Sequence, residues 1–199
     1  MMGMPPATQA LLIANVAVFF LESAGGMGLF EWFALWPPRT GLSQAPDFQL
    51  WQLVTYSFLH ANVAHIFFNM FALYMFGSDI ERLFGSRFYL AYYFVSVLAA
   101  AICHLVINTW MGADPAPTVG ASGGIYGLLL AYGLYFPNRQ LMLLFPPIPM
   151  RARTFVIVFA VLELVLGVTG TAAGVAHFAH LGGMLGGYLM IRYRRGFRH

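Results

Sequence analysis

The sequence predicts an all-α polytopic membrane protein of six spanning helices with both termini on the inner side. Three observations carry this. The 199 residues are 60% hydrophobic and 9% charged, where a soluble domain is about 25% charged. The mean hydropathy is +0.72. The apolar residues fall in long continuous runs. Only helices or closed barrels satisfy backbone polar groups in lipid, and a barrel would show alternating segments of about ten residues instead.

The elements follow in order. A span needs roughly 20 mostly apolar residues. Six runs qualify, near 8–24, 61–81, 88–108, 120–136, 153–169 and 173–192. Together they use most of the chain, so residues 1–199 read as a single membrane domain with no second folded unit. The first run lacks the basic flank of a signal peptide and reads as a spanning helix. The linker 25–60 holds Trp32, Trp36 and Trp51. Interfacial tryptophan sits at headgroup level, so this linker is expected to lie partly in the outer leaflet. The loop 137–152 contains four prolines that stop helices.

Every basic residue is an arginine. With the N-terminus inside, Arg82, Arg87, Arg139, Arg151, Arg153, Arg192, Arg194, Arg195 and Arg198 fall on the cytoplasmic side and Arg39 alone outside. That asymmetry sets the orientation and puts Ser122 at the outer end of the fourth span. Positive charge placed at membrane ends points to anionic lipid and not to nucleic acid. The single Cys103 excludes an internal disulfide.

Ionisable and polar residues inside a membrane are costly and face the bundle interior. The second span carries His65 and Asn69, four apart on one face, with His60 just before it. The fourth opens with Ser122, and Tyr126 follows one turn later. The sixth carries His180 in line with Gly183 and Gly187. Gly123-x-x-x-Gly127 and Gly183-x-x-x-Gly187 permit close helix approach, which would let Ser122 meet His180. Glu163 in the fifth span and His104 in the third read as bundle hydrogen-bonding groups, and His177 as a residue lining the mouth. The G-x-S-x-G match at 120–124 lacks the strand that a nucleophile elbow needs. His177-x-x-His180 is a weak metal spacing. Neither a metal nor any other cofactor is expected.

Taken together, these residues resemble the rhomboid family of intramembrane serine proteases. "GASGG" at 120–124, "HANVAHIFFNM" at 60–70, "HLGGMLGG" at 180–187 and "ERLFGS" at 81–86 are similar to its motifs, in the expected order over residues 50 to 195. The resemblance implies a minimal six-helix prokaryotic form in a bacterial-type cytoplasmic (inner) membrane. It implies a serine-type endopeptidase with Ser122 as nucleophile and His180 as base. Tyr126 would pack on His180, and His65, Asn69 and the Ser122 backbone N–H would bind the oxyanion. No acidic third member is implied. The substrates implied are membrane proteins with a transmembrane helix, cut near its outer end. The family often has Trp-Arg where this chain has Trp51-Gln52. A catalytically silent relative and a small transporter using Glu163 or His104 are the rival readings.

Overall fold

The computed structural model describes residues 3–25, 27–38, 46–111, 116–142, 147–170 and 176–196. Arg39, Arg198, Pro115 and residues 173–175 of the expected sixth span lie outside them. Helix α1 (Pro6–Gly25) begins on a proline, whose missing N–H is no loss in a first turn. Two short helices, α2 (Met27–Phe33) and α3 (Gln52–Thr55), and a 3₁₀ turn at Tyr56–Phe58 shape the linker expected as loop. The second long element runs through α4 (Val63–Ala72), a π turn at Leu73–Gly77 and α5 (Ser78–Phe84). It is followed by α6 (Ser86–Met111) and α7 (Ser122–Tyr135). A hairpin of β1 (Gln140–Met142) and β2 (Pro149–Arg151) precedes α8 (Ala152–Thr169) and α9 (His177–Gly196). The hairpin is antiparallel and pairs Leu141 with Met150.

Among the described residues, the helices α1, α4 with α5, α6, α7, α8 and α9 overlap the expected runs. Four of them, Pro6–Gly25, Val63–Phe84, Ser86–Trp110 and Ala152–Thr169, are long and apolar enough to cross a membrane. The α7 helix has 14 residues and so spans about 21 Å, less than the ~30 Å of a hydrocarbon core.

Burial explains the arrangement. On α6, Tyr89, Tyr92, Tyr93, Ser96, Val97, Ala100 and His104 form one buried stripe at helical spacing. That stripe faces α7, which is buried on nearly every side. Tyr92 donates its hydroxyl to the Gly127 carbonyl at 2.6 Å, and Tyr56 donates to the Val97 carbonyl at 2.9 Å. The α9 helix closes on α7 through glycine. A Cβ on Gly183 would collide with the Gly123 backbone, and one on Gly187 would lie 3.3 Å from the Gly127 Cα. The α8 helix buries only Ala152, Val156, Glu163 and Gly167 and exposes Ile157, Val161, Leu164, Val165 and Val168. It is the outermost of the helices around α7.

Glu81 joins three elements at one end of the bundle. Its carboxylate accepts from the Ala7 N–H at 2.9 Å, the Thr8 N–H at 2.6 Å and the Thr8 hydroxyl at 2.8 Å. The Ser86 hydroxyl adds a fourth bond at 2.7 Å. An anion capping first-turn donors that lack an intrahelical partner is favoured by both hydrogen bonding and the helix dipole. Arg82 reaches the Gly3 carbonyl at 3.1 Å, Arg139 pairs with Asp79, and Arg194 lies over Phe84 and Phe88. The start of α1 and the ends of α5, α7 and α9 therefore share one end. Ser122, His60 and Glu22 lie at the other, where the Glu22 carboxylate accepts from the His60 N–H at 3.2 Å.

Candidate active site

The serine segment is held before α7 begins. Thr118 and Leu35 exchange both backbone hydrogen bonds at 3.0 Å, and the Gly120 N–H donates to the Tyr56 carbonyl at 2.9 Å. The Thr118 hydroxyl and the Asn108 amide both meet His104 Nε2, at 2.6 and 3.1 Å. The linker and α6 thus grip residues 118–120 from two sides. Gly120 has φ +125°, and a Cβ there would sit 2.8 Å from the His65 ring. Only glycine suits that conformation and that gap. The chain then turns into α7 with Ser122 as its first residue, where the early N–H groups have no intrahelical acceptor.

Ser122 and His180 meet. The Ser122 Oγ lies 2.8 Å from His180 Nε2, brought there by the glycine contacts between α7 and α9. The Tyr126 ring stacks on the His180 imidazole, with centroids 4.2 Å apart and planes at 4°. His180 is 8% exposed and Ser122 is half-buried.

On the opposite side of Gly120, His65 is half-buried at the start of α4. The Ala61 N–H approaches its Nδ1 at 3.4 Å. A ring nitrogen that accepts there leaves Nε2 as the protonated one, and Nε2 shares with Cε1 the ring edge that faces Gly120. Asn69 lies one turn further along. Its Nδ2 donates to the His65 carbonyl at 3.0 Å, leaving its second amide hydrogen for another acceptor. The two rings of His60 and His65 pack edge to face at 5.1 Å. Burial, with the His65 charge in second place, pushes the His60 imidazole down to about 4, so His60 is neutral at ordinary pH.

Sequence reasoning placed Glu163 in the bundle without its partners, and the resemblance implied no acid beside His180. The structure differs. Glu163 is 6% exposed, and its Oε1 lies 3.0 Å from His180 Nδ1 and accepts from the Tyr126 hydroxyl. Its Oε2 is 2.6 Å from His177 Nδ1. The His180 Nδ1 approach lacks hydrogen-bond alignment, and Nδ1 has no other partner among the described residues. His177 is buried against this carboxylate and does not line an open mouth. Nothing in the sequence of α8 singles this carboxylate out as a partner of His180; the structure puts Glu163 and Gly167, four residues apart, on the one buried stripe of α8. Glu163, His177 and His180 each offer a ligand atom, all within 4.8 Å of one another. Of the described residues these are the ones that could hold a metal ion.

Gln52 replaces the expected arginine and is fully buried. Its Oε1 accepts from the Trp36 and Gln49 N–H groups at 3.2 and 3.3 Å, and its Nε2 donates to the Trp32 carbonyl at 3.3 Å. A neutral amide satisfies both a carbonyl and two amides, which a guanidinium, a donor only, does not. Gln52 is thus a linker clasp that sequence reasoning left open.

The rhomboid domain family matches residues 47–196. The Rhomboid protease GluP of Bacillus subtilis is 30% identical over 94% of this chain and 34% of its own length. The RHOMBOID-like protein 12, mitochondrial, of Arabidopsis thaliana is 29% identical over 87% of this chain and 54% of its own. The Rhomboid protease GlpG of Klebsiella pneumoniae is 29% identical over 62% of this chain and 41% of its own. The chain thus spans between a third and about half of the length of these relatives. A family match that takes in α3 through α9, and with them Ser122, His180, His65 and Asn69, makes this chain a member of the rhomboid family.

Proposed function

We propose that this protein is an intramembrane serine endopeptidase that cuts a peptide bond in or near the outer end of a substrate transmembrane helix. The observation that carries the reading is the 2.8 Å contact of the Ser122 Oγ with His180 Nε2 at the first residue of a helix. A serine hydroxyl is weak at neutral pH and needs such a base. As Oγ attacks the scissile carbonyl, Nε2 takes its proton. The tetrahedral oxyanion is stabilised by the Ser122 N–H, the His65 Nε2–H and the Asn69 amide. The α7 dipole adds to this at the same end. Collapse of the intermediate expels the amine, which leaves with the proton from His180. Water, deprotonated by His180, then hydrolyses the acyl-serine ester.

The short α7 supports a site below the membrane surface. Non-helical backbone such as residues 116–121 is tolerated at depth where it is packed in protein or lines a water-filled cavity, and hydrolysis needs that water. In this reading the chain is a single six-span domain in a bacterial-type inner membrane, with its arginine-rich end in the cytoplasm. Its partners are helical membrane-protein substrates and anionic lipid. A rhomboid-like binding protein without catalysis is disfavoured because both Ser122 and His180 are present and in contact.

The test is fluorophosphonate labelling of purified protein, beside cleavage of a reconstituted transmembrane substrate. Wild type should label and cleave. Ser122→Ala and His180→Ala should do neither while keeping the thermal transition of wild type. Cleavage retained by either pure variant sinks the proposal.

A further inference from the structure

We infer that Glu163 is a positioning residue for His180, so that the site works as a serine–histidine pair backed by a carboxylate from α8. The inference rests on the protease reading above. An ionised carboxylate only accepts hydrogen bonds. The ring nitrogen of His180 that faces Glu163, Nδ1 at 3.0 Å, therefore favours carrying the hydrogen. Its other nitrogen, Nε2, is then left with a free lone pair, and Nε2 is the atom 2.8 Å from the Ser122 Oγ. That is the tautomer a general base needs, and holding it is the role an orienting carboxylate plays in a serine triad. It also offsets the imidazolium charge that forms when Nε2 takes the serine proton.

The carboxylate, carried by α8, is itself fixed from two other helices. The Tyr126 hydroxyl on α7 donates to Oε1, and His177 Nδ1 on α9 meets Oε2 at 2.6 Å. Tyr126 meanwhile stacks on His180, so one side chain sets the ring plane and anchors the acid. The present Nδ1–Oε1 approach is close without being aligned. A small rotation of the ring completes the bond as positive charge develops on it, and the interaction then strengthens in the transition state, where it raises turnover.

The experiment uses the full chain in liposomes with a transmembrane substrate, comparing wild type, Glu163→Gln, Glu163→Asp and Ser122→Ala. Glu163→Gln should lower kcat by roughly 10- to 10,000-fold with KM within about twofold and slow fluorophosphonate labelling in step. Glu163→Asp should recover part of that loss. Wild-type kcat in a folded Glu163→Gln overturns the inference and leaves the protease reading standing, whereas a wild type that neither labels nor cleaves removes both. If Glu163→Gln does not fold, nitrogen-15 NMR of histidine-labelled wild type decides. The His180 signal, assigned by its loss in His180→Ala, should report Nδ1 protonated and Nε2 bare, and the reverse tautomer overturns the inference. Activity lost on chelation and restored by zinc would assign the cluster to a metal and likewise overturn it.

Discussion

A methyl group at residue 120 has nowhere to go. Gly120 combines φ +125° with a His65 ring 2.8 Å from where a Cβ would stand. Gly120→Ala therefore carries about 1–3 kcal/mol of backbone strain and pushes His65 away from Ser122. Displacing a catalytic group by about 1 Å can lose roughly 100-fold in rate. The expected outcome is a folded protein with a lowered thermal transition and at least a tenfold fall in substrate cleavage, checked by scanning calorimetry and a cleavage assay. Gly120 shows how unevenly the site could be read. Ser122, His65, Asn69 and His180 were legible from chemistry that an apolar helix does not otherwise carry, and from their register with the glycines. The Ala61 contact that orients His65, and the Tyr56 and Leu35 carbonyls that hold the serine segment, were not. They are backbone groups, and every residue has those.

At the scale of elements, the long apolar helices announce themselves because length and composition alone identify them. The short ones do not. Helices of four and seven residues in the linker, three-residue strands, and a π turn inside a longer helix fall below the length at which any periodicity can be counted. They exist because tertiary contacts hold them. Gln52 clasps the linker, and the Thr55 hydroxyl adds a bond to the Phe33 carbonyl at 2.8 Å. Glu81 is the strongest such contact. Glu81→Ala strands four donors, three of them on the first turn of α1. Buried donors left without a partner cost about 1–3 kcal/mol each, so a loss of at least about 2 kcal/mol is expected in denaturant unfolding. An unchanged midpoint would show that water replaces the carboxylate.

Across the whole molecule, pairing between helices is what a single sequence conceals. The glycine spacing made the α7–α9 contact readable, since small residues four apart on two helices invite each other. Glu163 had no counterpart signal: nothing in α8 says that its buried stripe meets both Tyr126 and His177. The ends of the bundle, by contrast, sort as the arginines do. The start of α1, the end of α5 and Arg139 lie together, away from Ser122. Single-cysteine variants in a Cys103→Ser background should then label from opposite faces in sealed vesicles. A cysteine at Gln140 should react from the arginine side, and one at Trp32 from the serine side. Both labelling from one face would overturn the assigned topology.

Ser122 and His180, nucleophile and base in the proposed chemistry, lie 58 residues apart in the chain, on α7 and α9. A chain synthesised only as far as α8 holds Ser122 without the His180 imidazole, and the Tyr126 ring without the ring it stacks on. On the proposed mechanism the order of the helices keeps the serine inactive until the chain is nearly complete, because the base that would activate it arrives only with α9.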